Sequence, residues 1–218
     1  MHNPFITIEQ LGVIPEIAID NAQDAIPLAD ALLEGGLPLA EVTFRTPDAA
    51  QAIALMRQQR PELLVGAGTL LDAASVEIAQ RSGAAFGLAP GIDAQVLAAA
   101  QQQGMPFAPG IMTPSDLSLA THYPVQVAKF FPAGLAGGPA ALQGIYAPFA
   151  HLGLRFIPTG GISENTLADW LRLPIVLAVG GSWIARSEDI RQGNFSQITR
   201  NAKAARAIVQ QVREASTC

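Results

Sequence analysis

The chemistry in this 218-residue chain starts from a lysine in an unexpected place. Only two lysines occur. Lys203 lies in the helical, surface-type segment NAKAARAIVQQ and reads as a solvated charge. Lys129 instead interrupts VQVAKFFP, an otherwise apolar strand. Alternation puts Val125, Val127, Lys129 and Phe131 on one side of that strand, with Ala128 and Phe130 on the other. Burial disfavours the ammonium form, so an interior lysine is a candidate amine nucleophile toward a carbonyl carbon. The competing reading is an interior lysine held by a carboxylate for packing alone.

The segment LAEVTFRT supplies partners. Glu41, Thr43 and Arg45 share one side of a strand, with Arg45 near its end. A carboxylate in a dry interior gains basicity, so Glu41 is a candidate proton shuttle. The planar guanidinium of Arg45 suits a substrate carboxylate. An internal Glu–Arg ion pair is the bland alternative, and Lys129 in the same interior favours a carbonyl-substrate site over it. PTGGIS (158–163) and VGGSW (179–183) each offer paired glycines followed by a hydroxyl. Exposed backbone N–H groups beside a helix start bind phosphate. Ser163 also reads as a plain N-cap for the helix that follows.

Positioning these groups requires a scaffold of strands and helices. Short apolar runs occur at 12–19, 39–43, 63–69, 85–89, 106–110, 125–131, 155–159 and 175–180. Between them lie Ala-, Leu- and Gln-rich stretches with helical spacing, such as 22–33 and 94–103. Apolar strands alternating with helices predict a parallel sheet covered by helices. Eight units at about 27 residues each point to an α/β fold of the (β/α)₈ TIM-barrel type: eight parallel strands closed in one single domain, 1–218. A doubly wound open sheet is the alternative. Six Gly-, Pro- or Thr-bearing segments at or just after the run ends (66–69, 89–91, 109–110, 130–132, 158–161 and 180–182) place strand-to-helix loops on one rim. No linker-like stretch divides the chain.

Composition narrows the function classes. Half the residues are hydrophobic and 14% are charged, which excludes disorder and predicts a large core. A net charge of −5 argues against a general nucleic-acid binder. The one cysteine, Cys218, allows no intrachain disulfide. No apolar run approaches membrane-spanning length, and MHNPFITIEQ lacks a secretory pattern, so a soluble cytoplasmic protein without membrane partners is expected. His2 is terminal, while His122 and His151 precede strands on the opposite rim. With no metal-ligand spacing, Walker loop or dinucleotide fingerprint, no metal or other cofactor is expected.

EVTFRT (41–46), VGAGT (65–69), APG (89–91), PG (109–110), KFFPA (129–133), PTGGIS (158–163) and GGSW (180–183) occur in an order that resembles the KDPG (2-dehydro-3-deoxy-6-phosphogluconate) and 4-hydroxy-2-oxoglutarate aldolases. The resemblance runs from about Gly12 to the closing helix. It implies a class I Schiff-base lyase of the Entner–Doudoroff pathway, usually a homotrimer, acting on a phosphorylated keto acid and releasing pyruvate. It further implies Lys129 as the imine-forming lysine, Glu41 as general acid/base, and Arg45 with Thr69 on the substrate carboxylate. Pro90, Phe131 and Thr159 would line the pocket, and Gly160, Gly161, Gly181 and Ser182 would surround the phosphate. A galactonate-epimer aldolase and a non-catalytic phosphosugar-binding barrel are the alternatives. Two residues depart from the family pattern. Gly134 replaces a common Glu, and Glu16 stands in a first strand that is usually apolar there. An inward Glu16 would alter preference for the distal part of the substrate; an outward one would be a subunit or helix contact.

Overall fold

A computed structural model describes residues 3–215; His2 and Cys218 fall outside them. The described chain opens with α1 (Pro4–Leu11) and β1 (Val13–Ile17), followed by α2 (Ala25–Glu34), β2 (Leu39–Thr43) and α3 (Ala49–Gln59). Then come β3 (Leu64–Gly68), α4 (Ala73–Arg81), β4 (Gly87–Leu88), α5 (Ala94–Gln102), β5 (Phe107–Ala108) and β6 (Gly110–Ile111). The remainder is α6 (Pro114–Ala120), β7 (Val127–Phe130), α7 (Gly138–Tyr146), β8 (Arg155–Pro158), α8 (Glu164–Leu171), β9 (Val179–Gly181), α9 (Ser187–Arg191) and α10 (Phe195–Ala215). Seven of the eight apolar runs marked in the sequence contain a strand, and the last, 175–180, overlaps one at Val179 and Gly180. None of the described helices is long and apolar enough to cross a membrane.

The expected closed eight-stranded barrel is not what these strands form. They make a six-stranded parallel sheet, in the order β5-β4-β3-β2-β1-β9, and a separate three-stranded sheet, β6-β7-β8. The first break falls at Pro109, which divides one predicted strand into β5 and β6. Proline has no N–H to give a ladder, although its carbonyl still accepts from Lys129 N at 2.8 Å. The second break lies between β8 and β9, where only the isolated bridges Phe156–Val176 and Thr159–Gly180 form. There the run 175–180 was expected to be strand throughout, but the ladder begins only at Val179.

Helix starts follow local chemistry. Asp93 accepts from the backbone of Gln95 and Val96 at the start of α5, and Asp72 and Thr113 form capping boxes at α4 and α6. The long α10 buries Ile198, Ala202, Ala205, Val209 and Val212, spaced as one helical face. Its Thr199 Oγ1 donates to Ala31 O of α2 at 3.1 Å. Small residues let these helices approach closely: a Cβ on Gly35 would sit 2.5 Å from Ala202 Cβ.

Packing then aims the functional strands. In β7, Phe130 is fully buried and its ring lies 6.2 Å from the Trp170 ring of α8. Burying that ring is worth about 1.5–3 kcal/mol, and it holds the register that turns Lys129 the other way. In the neighbouring β8, Phe156 packs edge-on against Tyr146 of α7 at 5.1 Å. Glu16 of β1 and Glu41 of β2 are direct register partners in their parallel pair. Both sheets therefore deliver polar side chains to one apolar interior.

Candidate active site

Lys129, Glu41 and Arg45 do meet, and Glu16 joins them. Lys129 Nζ lies 3.4 Å from Glu41 Oε1 and 3.6 Å from Glu16 Oε2. Its side chain is 4% exposed and that of Glu41 is 0% exposed. Glu16 Oε1 accepts from Arg45 Nη2 at 3.1 Å, and the half-exposed Arg45 reaches back over the interior from beyond β2. Thr43 fixes the angle of that guanidinium: its Oγ1 accepts from Arg45 Nε at 3.1 Å and donates to Ile17 O at 2.8 Å. The first strand's carboxylate thus faces inward, which decides the question its sequence left open.

Space for Glu41 comes from the neighbouring strand. A Cβ on Gly68 would lie 2.1 Å from Glu41 Oε1, so only glycine there admits the carboxylate. Burial pushes the Glu41 carboxyl above the usual carboxylate range; the Lys129 ammonium opposes this and the Glu16 charge adds to it. Glu41 Oε2 is buried without a hydrogen-bond partner. A purely structural ion pair would satisfy both oxygens, whereas an orphaned one is available to a substrate proton.

The other expected site residues lie at the C-terminal ends of the parallel strands. Thr69 follows β3 with φ of 58°, the left-handed region that β-branched residues avoid. Such a conformation costs on the order of 1–3 kcal/mol and points to a functional side chain. Thr69→Gly should therefore hold or raise the melting temperature. A fall of more than about 3 °C would instead show that the threonine stabilises the fold.

Phe131 stands with its ring centroid 5.7 Å from Lys129 Nζ, and Gly160 lies against it, where a Cβ would approach the ring at 3.0 Å. Pro90 sits in the turn after β4; Gly110 admits it, since a Cβ there would be 2.2 Å from Pro90 O. Thr159 is buried after β8, facing Gly180 across an isolated bridge.

The two glycine loops differ more than their sequences suggested. Gly160 and Gly161 adopt φ of 92° and 73° just before α8, whose N-cap is Ser163. Ser163 occupies the N-cap position as expected, and its N–H donates to Thr166 Oγ1 at 3.1 Å. After Gly181 and Ser182 no helix begins until Ser187, and α9 is only five residues long. A Cβ on Gly181 would strike the Trp183 ring at 1.6 Å, so this glycine is required by packing whatever else it does.

Sequence reasoning missed two contributors, Gly68 as the space for Glu41 and Thr43 as the anchor of Arg45. Thr43 was visible in the alternation with Glu41 and Arg45; Gly68 was read only as loop punctuation. His122 and His151 are exposed and lie before β7 and β8, at the strands' N-terminal ends. No group of three or more potential metal ligands occurs among the described residues. A cavity of about 710 Å³ at the N-terminal ends of β3, β5 and β7 includes Phe5, Gln80 and Phe107 in its wall. It has no ionisable side chain in its lining, so the reacting groups are elsewhere.

An interior amine between carboxylates, beneath an arginine on a parallel α/β scaffold, suits a lyase of the aldolase class. The family model for KDPG and KHG aldolase matches residues 6–201, and the chain belongs to that family. The 2-dehydro-3-deoxy-phosphogluconate aldolase of Treponema pallidum is 43% identical over 195 residues, covering 89% of this chain and 92% of that one. The KDPG aldolase of Legionella pneumophila, solved with pyruvate captured as a covalent carbinolamine intermediate, superposes with a TM-score of 0.89 at 38% identity, covering 94% of this chain and 98% of that chain. The aldolase of Zymomonas mobilis ZM4 with 3-phosphoglycerate superposes with a TM-score of 0.85 at 36% identity, covering 95% and 97%.

Proposed function

We propose that the chain is a class I aldolase that cleaves 2-dehydro-3-deoxy-6-phosphogluconate to pyruvate and glyceraldehyde 3-phosphate, with 4-hydroxy-2-oxoglutarate as a second substrate. The observation that carries this reading is Lys129, buried and 3.4 Å from a carboxyl group with a free oxygen.

In the proposed reaction the neutral amine of Lys129 adds to the C2 carbonyl. Glu41 gives its proton to the departing hydroxyl, so the carbinolamine loses water and leaves a protonated imine, the electron sink, beside an ionised Glu41. Glu41 takes the proton of the C4 hydroxyl, and the C3–C4 bond breaks. Its electron pair moves into the imine to leave an enamine, and the aldehyde departs. Protonation of the enamine carbon by Glu41 and addition of water then release pyruvate and restore the amine. Arg45 and Thr69 hold the substrate carboxylate, and Pro90, Phe131 and Thr159 line the pocket. Gly160, Gly161, Gly181 and Ser182 receive the phosphate, whose binding energy positions the reacting carbons. Of the two glycine loops, the left-handed pair before α8 is the better supported as an anion cradle. The proposal extends to a single-domain homotrimer in the cytoplasm, working in the Entner–Doudoroff pathway. Family membership supports these last points, and exposed Leu71, Met112 and Leu135 are apolar surface that assembly would cover.

Borohydride reduction in the presence of pyruvate, followed by peptide mass spectrometry, tests the mechanism. A reduced three-carbon adduct on Lys129 is the expected result. An adduct on Lys203 alone, or none, overturns the imine. Cleavage rates for the gluconate-derived substrate, its galactonate epimer and 4-hydroxy-2-oxoglutarate then rank the substrates. The phosphate assignment has its own test in Ser182→Glu, a change at an exposed position. Charge repulsion should lower kcat/KM for the phosphorylated substrate by about 10–100-fold and change that for 4-hydroxy-2-oxoglutarate little. Equal losses for both would remove Ser182 from the phosphate site.

A further inference from the structure

We infer that Glu16 is a resident carboxylate that occupies the place of the substrate's own carboxylate, competing with keto acids for Arg45 and hastening release of the pyruvate product. The inference rests on the aldolase reading above, because it takes Lys129 as the atom that bonds to the keto carbon.

Geometry carries it. Glu16 bridges two cationic groups, with Oε1 on Arg45 Nη2 at 3.1 Å and Oε2 3.6 Å from Lys129 Nζ. A keto acid joined to Lys129 through its second carbon has its carboxylate one bond away. To reach Arg45, that carboxylate must lie between Arg45 and Lys129, in the space Glu16 spans. The side chain of Glu16 is 15% exposed, so its charge is weakly screened there. Thr43 already holds Arg45 Nε, so the guanidinium keeps its position when Glu16 is displaced. Glu16 is thus not needed to aim the arginine.

Charge counting gives the direction of the effect. The groups facing Glu16 are Arg45, Lys129 and, beyond Lys129, Glu41. With Lys129 as the neutral nucleophile and Glu41 protonated, Arg45 and Glu16 cancel. An incoming carboxylate then meets no net positive charge. Without the Glu16 charge, Arg45 acts on the substrate unopposed. The residue trades affinity for turnover: once the imine is hydrolysed, Glu16 returns to Arg45 and displaces pyruvate.

The test is exchange of the pyruvate methyl protons with deuterium, followed by NMR, in the parent and in Glu16→Gln. Pyruvamide, which has no carboxylate charge, serves as the matched probe. The expected result is a pyruvate KM lowered by about 3–10-fold in the variant, with pyruvamide changed by less than about 2-fold. Pyruvate should also become a tighter product inhibitor of cleavage by a similar factor. A pyruvate KM that is unchanged or raised overturns the inference and makes Glu16 an anchor of Arg45. A matching fall for pyruvamide also overturns it, since the effect would not depend on the substrate's charge. Should the Gln variant not fold, Glu16→Ala gives the same comparison. Failure of the aldolase reading shows separately, as a parent enzyme with no borohydride adduct on Lys129, and removes this inference with it.

Discussion

Lys129→Arg should abolish cleavage, lowering kcat by at least about 10⁴-fold, the scale of losing a covalent nucleophile. Arginine keeps the positive charge between Glu16 and Glu41, so the interior stays electrically matched and the fold is expected to survive. It cannot supply a neutral amine, because the guanidinium stays protonated throughout the working pH range. A structural lysine would tolerate this change and leave activity within a few-fold of the parent. Lys129→Met separates the two properties further. Removing the cation leaves Glu41 and Glu16 facing each other in an apolar interior, so this variant should lose stability as well as activity. Single-turnover cleavage and thermal melting of both variants check the prediction, and substantial cleavage by either refutes a lysine-based imine.

Glu41→Gln is the second large effect, and it should move activity and stability in opposite directions. Turnover should fall by about 10²–10⁴-fold, the usual contribution of a positioned general acid/base. Near-normal single-turnover cleavage would assign the proton transfers to another group. Stability follows from the raised pKa of the folded-state carboxyl, caused first by burial. At pH 4 and below, the carboxyl is largely protonated in both the folded and the unfolded chain, given an unfolded value of 4.5. As pH rises through the higher folded-state value, ionising the buried group costs the parent stability that the neutral glutamine does not lose. The melting temperature of Glu41→Gln relative to the parent should therefore climb between acidic and mildly alkaline pH. Each kcal/mol corresponds to roughly 2–4 °C in a chain of this size. A difference that shrinks with pH would mean that Lys129 outweighs burial. The expected trade of stability for activity is common where a buried carboxyl does chemistry.

These predictions rest on residues whose legibility in the sequence was unequal. Lys129 was readable because an ionisable residue in an apolar strand is costly, so its presence demands a reason. Glu41, Thr43 and Arg45 were readable as one face because alternation is local and independent of what lies opposite. Departure from the family pattern marked Glu16 as unusual without giving its direction, since a carboxylate beside a proline in a short strand fits either face. Its placement over Lys129 came from the parallel register of β1 with β2 and from the meeting of two sheets, the latter joining residues more than a hundred positions apart. Gly68 was invisible for a related reason. Its function is the absence of a Cβ against Glu41, and emptiness matters only once the neighbour is known.

The glycine loops show the same division. Paired glycines signalled close approach, but their sequences are alike while their settings differ. One pair precedes α8 in left-handed conformations, and the other is held by the Trp183 ring. Sheet closure failed as an expectation because counting apolar runs counts strands and not ladders. A ladder needs an unbroken row of N–H groups in register, and Pro109 and the stretch before Val179 interrupt it. By itself, the sequence determined the alternation of strands and helices, the inward faces of β2 and β7, and the aldolase resemblance, all properties of short segments. Tertiary structure alone decided that Glu16 joins Lys129 and Arg45, that Gly68 accommodates Glu41, and that the strands divide into two sheets. Those outcomes are set by packing and hydrogen bonding between segments distant in the chain, which no local spacing encodes.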